Sequence, residues 1–357
     1  VIFSADRVEL ASAITRAAQG LPSRPAQPVY AGLLLRADAD GLHLTASDSE
    51  MRFTSRAYAS VHEDGHCVAP GRLLADLSGY WTGEQVTFRT EGSQLTVASG
   101  RSQFTLTVSD GDIYPSWQED VPALFRLDGE ELAHAVRSAA SSVADAPAVL
   151  TGILMEENGD HLTLVSTDHS RMAVAEVPFT KGADWDEGRP ASTILPVKTG
   201  ERFIRGCEGE VSAGWDDSLI LLEYPGLRMT TRRIEGKFLP WRNVTKLNPE
   251  DGWVSVSSKE LSRAVRVAQL ATTGFEWVTF TFTEGELAVS AGQEGRESRE
   301  YVECTHAGED LSIGLAARFV LDGLAGCGDT AEMSVLRDKL FMRGGGFHYM
   351  IQSRREI

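Results

Sequence analysis

Three stretches of this chain repeat one another. FSADRVELASAITRAAQ from Phe3 returns as FRLDGEELAHAVRSAAS from Phe125 and as VSVSSKELSRAVRVAQL from Val254, with Leu10, Leu132 and Leu261 at the shared position. The segment that follows, GLLLRADADGLHLTASDSEM from Gly32, returns as GILMEENGDHLTLVSTDHSRM from Gly152 and as WVTFTFTEGELAVSAGQEGRE from Trp277. Each version alternates apolar and polar residues on both sides of a turn, the pattern of a β-hairpin. A second helical stretch comes next in every copy (GRLLADLSGYW from Gly71, KTGERFIRGC from Lys198, ARFVLDGLAGC from Ala317), and more alternating strands close it. One structural unit is therefore built three times, and the fold must stack like on like.

The repeats predict an α+β fold of three similar domains, each with two helices packed on antiparallel sheets. Polar, proline-containing stretches, QEDVPA and KLNPEDG, place the boundaries, giving domains at 1–121, 122–250 and 251–357. The first two copies share an exit, IYPSWQED and FLPWRNV. At 357 residues the chain suits this division, since single cores stop growing below that length. With 42% hydrophobic and 24% charged residues, and no apolar run of membrane-spanning length, it reads as soluble and not membrane-bound. No targeting segment is visible in VIFSADRVEL, so the cytoplasm is expected. Cys67, Cys207, Cys304 and Cys327 are far apart and form no CxxC pair, which points to reduced structural thiols rather than a disulfide framework or zinc knuckle.

Aligning the first helices on their shared leucine separates two faces. Leu10, Ala13, Ile14; Leu132, Ala135, Val136; and Leu261, Ala264, Val265 form the stripe that packs on a sheet. The opposite stripe holds Ser12 and Thr15, His134 and Arg137, and Arg263 and Arg266, with Arg16 beside the first pair and no acid among them. The second helices add Arg72, Lys198, Arg202, Arg205 and Arg318, diluted by Glu201 and Asp322. One such helix would be read as a solvated face. Six helices biased alike point to phosphate contacts made without reading sequence. The formal net charge of -17 opposes nucleic-acid binding only if charge is evenly spread. Screening confines each field to about 10 Å, so acid on one face and cation on another can coexist.

Catalytic signatures are weak. GxxxxGK followed by Ser or Thr and GxSxG do not occur. Asp168, His169 and Ser170 are adjacent, which suits a turn and not the relay of a hydrolytic triad. His62, His66 and Cys67 lack a fourth metal ligand and read as a polar hairpin loop. Gly344 to Gly346 join two alternating runs and read as a hairpin turn, with Phe347 and Tyr349 as packing residues. No cofactor is expected. Two other classes compete: an acidic, β-rich hydrolase using paired carboxylates, and a repeat scaffold that binds only protein.

The words LPSRPAQPVYAGLLL around Arg24, VSTDHSRMAV around Asp168, ILPVK ending at Lys198 and EGKFLPWRNV around Phe238 carry a specific match: over its entire length the chain resembles the β sliding clamps of bacterial DNA polymerase III. The resemblance implies a head-to-tail homodimer closing a ring, with helices lining a hole for duplex DNA. It implies a processivity factor with no enzymatic activity that tethers the replicative polymerase. Its implied partners are the polymerase III alpha subunit, an ATP-driven clamp loader and other proteins with clamp-binding motifs. Arg24, Arg72 and Lys198 match family positions that approach DNA. The residues matching the family's peptide-binding pocket, between the second and third domains, are Leu150, Thr167, Arg171, Met172, Leu239, Val244, Phe275, Phe319, Met350 and Ile351. Phe104 and Leu106 of the first domain, and Gln269 and Leu270 of the third, match the dimer interface.

The chain also departs from the family. Leu239 replaces a usual proline, Asn243 a familiar arginine and His169 a glycine. The loop DAPAVL lacks the arginine and tyrosines that some relatives bring near DNA, and Gln269 replaces an often aliphatic interface residue, which predicts a looser dimer. The ending QSRREI, with Ser353, Arg354 and Arg355, stands where a methionine-proline ending is common. These changes predict a divergent, actinobacterial-type or second clamp with an altered ligand set, insensitive to pocket-directed antibiotics.

Overall fold

The computed structural model describes residues 1–118, 120–188, 190–245, 252–272, 277–293, 295–306 and 309–353. Its helices are α1 (Arg7–Ala18), α2 (Gly71–Ser78), α3 (Gly129–Ala140), α4 (Val197–Phe203), α5 (Arg242–Thr245), α6 (Ser258–Gln269) and α7 (Ala317–Cys327). Short strands lead into α1, α3 and α6, and the same device starts all three helices. The Asp6 carboxylate accepts from the amides of Val8 and Glu9 at 2.9 and 3.0 Å, Asp128 from that of Glu130 at 2.9 Å, and the Ser257 hydroxyl from that of Glu260 at 3.4 Å. These caps satisfy amides that have no partner within the helix. Four residues beyond each cap stand Leu10, Leu132 and Leu261, all fully buried together with the rest of the apolar stripe. The hairpin turns are also repeated. Gly41, Gly159 and Gly285 have φ of 110°, 67° and 73°, a region a side chain rarely tolerates.

The chain divides into two compact units, Val1–Glu130 with Thr180–Pro190 and Lys198–Arg233, and Glu131–Phe179 with Ala191–Val197 and Ile234–Ile357. The middle copy contributes to both. The first unit contains a 5-stranded sheet with Ser102–Thr107 at its edge. It also contains one continuous antiparallel sheet running from Ser109–Asp110 through Gly65–Pro70, Gly32–Asp38, Gly41–Ser47 and Met51–Ala57 into Leu227–Arg232, Leu219–Tyr224, Glu210–Trp215 and Phe125–Asp128. The second unit contains a 4-stranded sheet with Arg296–Glu303 at its edge. Its continuous sheet runs from Ser192–Pro196 through Gly152–Asn158, His161–Thr167 and Arg171–Lys181 into Phe347–Gln352, Lys339–Gly344, Thr330–Leu336 and Val254–Ser257.

One rule governs both joins. The third strand of a copy's hairpin run pairs with the last strand of the next copy: Met51–Ala57 with Leu227–Arg232, and Arg171–Lys181 with Phe347–Gln352. Such joins bury a sheet edge that would otherwise present unpaired backbone groups.

The exits between copies lie on these continuous sheets. In the first unit Trp117 donates its indole N–H to the Thr230 hydroxyl at 2.8 Å, Arg52 donates to the Pro115 carbonyl at 2.7 Å, and Val121 packs with Leu219 and Leu221. In the second unit Phe238 and Trp241 join an apolar cluster with Leu150, Leu154, Val165, Met172, Val174 and Ile194. Glu156 fastens that exit by accepting from Trp241 Nε1 at 3.0 Å and Arg242 Nη1 at 2.7 Å. All four cysteines are free, and burial pushes the Cys67 and Cys327 thiols up to about 11 and 12. No helix among the described residues is long and apolar enough to cross a membrane.

Candidate nucleic-acid and peptide interfaces

In the first unit Arg24, Arg72, Lys198 and Arg205 are exposed. Arg72 donates to the Pro22 carbonyl at 3.1 Å and so holds the loop that carries Arg24. Arg202 is half-buried, its guanidinium 3.7 Å from the Met51 sulfur. In the second unit Arg137, Arg266 and Arg318 are exposed. Two residues of the expected polar stripe are diverted. His134 is half-buried and bonded to the Gly326 carbonyl at 3.1 Å, and Arg263 pairs with Glu300 at 2.8 Å. Arg263 is thus partly neutralised by its own unit, a correction the helix pattern could not give because Glu300 lies on another element. What remains is a sparse set of helix-borne cations with neither stacking aromatics nor groove-reading side chains among the residues predicted to meet phosphates. That set suits weak contact with backbone phosphates.

The predicted peptide pocket is divided by its own sheet. Met172 lies opposite Met350 and Val174 opposite His348, so these four share a face, while Arg171, Ile351, Ala173 and Tyr349 share the other. On the first face Leu150, Met172, Val244 and Met350 meet Phe238 and Trp241, and Leu239, next to Phe238 in the exit, is 38% exposed. A cavity of about 10 Å³, room for one water, is lined by Met172, Val174, Val244, Trp253, Phe341, Met342, His348, Tyr349 and Met350. The pocket expected from the sequence lacked Val174, Trp253, Phe341, Met342 and His348, and it had Tyr349 only as a packing residue. Alternation would have found His348, two residues from Met350 on one strand.

Arg171 and Ile351 are buried on the opposite face, so neither lines this groove: a correction arising from the same alternation. Arg171 bonds Asp168, Asp322 and the Tyr349 hydroxyl, and its guanidinium stacks 4.1 Å from the centre of the Phe319 ring. Burial disfavours its charge, but the Tyr349 hydroxyl and the bonds to Asp322, Tyr349 and Asp168 outweigh it, holding the group above its ordinary value. Burial pushes Tyr349 up to about 12. Thr167 is buried and donates to the Arg171 carbonyl at 2.7 Å. Phe275, Arg354 and Arg355 lie outside the described residues. Ser353 donates its amide to the Asp338 carbonyl at 2.8 Å.

The first unit has the same groove position with different chemistry. Arg52 and Thr230 stand opposite one another where the second unit has Met172 and Met350, and Trp117 and Pro115 are bonded to them. Polar contacts from the chain's own exit fill that position. The second unit offers thioethers instead, which adapt to what enters.

Of the interface candidates, Phe104 is 43% and Leu270 74% exposed. Gln269 is half-buried. Leu106 is 3% exposed and belongs to the first unit's core, so it supports the edge strand from behind rather than contacting a partner. Among the described residues, Ser102–Thr107 and Arg296–Glu303 each lie at a sheet edge.

The remaining sequence candidates resolve into structure. Asp168 accepts from the amides of Ser170 and Arg171 at 3.0 and 3.1 Å and forms a turn, with His169 at φ 73°. Gly345 and Gly346 form a hairpin turn at φ 56° and 75°, and Phe347 and Tyr349 are buried. Cys67 is buried, while exposed His66 turns to Asp112 at 3.0 Å and Asp110 at 3.7 Å.

The model of the DNA polymerase III beta subunit N-terminal domain matches residues 1–118, and that of its central domain residues 126–240. The beta sliding clamp of Streptomyces coelicolor is 33% identical over 336 residues, covering 90% of this chain and 87% of that protein. The beta sliding clamp homolog GriR of Streptomyces muensis is 29% identical, covering 90% of this chain and 87% of its own length. The crystal structure of a Pseudomonas aeruginosa sliding clamp bound to griselimycin superposes with a TM-score of 0.88 at 22% identity, covering 99% of each chain.

Proposed function

The chain belongs to the DNA polymerase III beta subunit family and is a sliding clamp, and from that membership we propose how it works: as a closed homodimer that encircles duplex DNA and has no catalytic centre. The observation that carries the ring is the joining rule. Third strand pairs with the next copy's last strand at both internal joins. Applied once more, the rule pairs Arg296–Glu303 of the last copy with Ser102–Thr107 of a second molecule's first copy. Phe104 lies on one of these edges, and exposed Leu270 ends the helix that packs beside the other. Head-to-tail contacts of this kind close into a ring when the rotation permits. The three repeats, divided at 121 and 250, are then the domains of each half-ring.

Arg24, Arg72, Arg137, Lys198, Arg202 and Arg266 face the phosphates, with Arg263 contributing what Glu300 leaves. Their contact is weak enough to slide, and the closed circle supplies persistence. The groove at Met172 and Met350 receives extended apolar motifs of the polymerase III alpha subunit, the clamp loader and other partners in the cytoplasm.

Loading onto nicked circular DNA tests this reading. The protein should stay on the circle in about 0.5 M salt, where phosphate contacts are screened, and leave on linearisation. Salt-sensitive retention indifferent to linearisation would reject encirclement and leave simple surface binding or a protein scaffold.

The Pseudomonas aeruginosa clamp was crystallised with griselimycin, whereas the present groove has a cavity of only about 10 Å³ and carries Leu239, 38% exposed, in the exit segment beside Phe238. Griselimycin should therefore bind this chain at least tenfold more weakly than it binds an ordinary clamp. Equal affinities by calorimetry would show that the altered groove confers no resistance.

A further inference from the structure

The peptide groove has a polar group that its apolar lining does not call for. His348 stands among Met172, Val174, Val244, Phe341 and Met350, half-buried, and among the described residues its imidazole has no hydrogen-bond partner. The charges near it are otherwise engaged or offset. Arg343, directly across on the neighbouring strand, pairs with Glu332 at 2.6 Å and stacks 4.0 Å from the Trp253 ring centre. Glu176 acts on the imidazole in the opposite sense to Arg343. Burial is the largest influence and holds the imidazole below its ordinary range, so it is neutral near pH 7.

His348 lies two residues along the strand from Met350, about 7 Å away. The cavity holds about one water as it stands, so the flexible Met172 and Met350 thioethers must turn aside to admit an anchor side chain, which reaches His348 only if it is long and then meets a neutral hydrogen-bonding group at its tip. Leucine is too short, and phenylalanine would leave the imidazole desolvated and unpaired. Tyrosine combines the apolar ring with a neutral hydroxyl, so no charge has to be stripped of water.

We infer that His348 is a specificity-determining residue of the groove, selecting an aromatic anchor with a polar tip so that tyrosine is preferred to phenylalanine. This rests on the reading of the groove as a peptide site. A site that satisfies a buried polar group discriminates against a ligand that leaves it unmatched, here by about tenfold.

Two synthetic extended octapeptides, identical except for a terminal Tyr or Phe anchor after two leucines, are titrated calorimetrically into the full-length protein and its His348→Gln and His348→Leu variants. The Tyr peptide should bind the wild type about tenfold more tightly than the Phe peptide. His348→Gln should keep part of that preference, and His348→Leu should abolish or reverse it while still binding the Phe peptide, which also reports an intact groove. Equal binding of both peptides by the wild type, or a preference that survives His348→Leu, overturns the role of His348 and leaves the peptide site standing. If neither peptide binds the wild type, the peptide site itself falls, and this inference with it.

Discussion

Arg171→Ala should lower the stability of the second unit by about 3 to 5 kcal/mol and its melting temperature by roughly 5 to 15 °C. The guanidinium is almost fully buried and meets two carboxylates, a phenol and an aromatic ring. Removing it leaves Asp168 without its counter-charge and Asp322 with only the 4.0 Å contact to exposed Arg318, and it opens a void on the sheet face opposite Met172. The network crosses a join between copies, since Asp168 and Arg171 come from the middle copy and Asp322 and Tyr349 from the last. Asp322→Asn should cost less, because the amide oxygen still accepts from Arg171 and Asp168 still balances its charge. Calorimetric unfolding measures both. A loss below about 1 kcal/mol for Arg171→Ala would mean that the network is solvated and contributes little.

Leu270→Asp should turn the dimer into a monomer at micromolar concentration, a weakening of at least a hundredfold. Leu270 is 74% exposed at the end of α6, and Phe104 lies on the complementary edge. A carboxylate there would have to enter an apolar contact unpaired, which costs several kcal/mol. Light scattering should fall from about twice 38.8 kDa to that mass. Leu106→Ala is the informative contrast, because Leu106 is a core residue: it should lower the melting temperature while the mass stays dimeric. A wild-type protein that is monomeric throughout, or a Leu270→Asp dimer as strong as the parent, would move the interface elsewhere.

The repeat made most of this fold legible. Leu10, Leu132 and Leu261 located the buried helix faces, and hairpin alternation located the strands around Gly41, Gly159 and Gly285. The division into compact units was not legible, because it depends on Met51–Ala57 pairing with a strand nearly two hundred positions away, and no local pattern encodes that choice. The site was half visible. Resemblance supplied Met172, Val244 and Met350, yet it also supplied Arg171 and Ile351, which period-two alternation turns to the other side of the sheet. Arg263 looked unopposed along its helix and meets Glu300 only in three dimensions.

The two grooves beneath the exits also set the valence of the molecule. A scaffold built by repetition inherits its crevices in duplicate, and here Trp117 and Arg52 close the copy in the first unit while Met172 and Met350 leave the other adaptable. In the proposed ring each chain then offers one berth, and the closed pair offers two. In such a ring a partner with a single docking motif would leave the second berth for a rival, so two clients would wait on one circle and exchange without leaving DNA. A partner with two motifs holds both berths only if its linker spans them, and within that limit its avidity exceeds either contact alone.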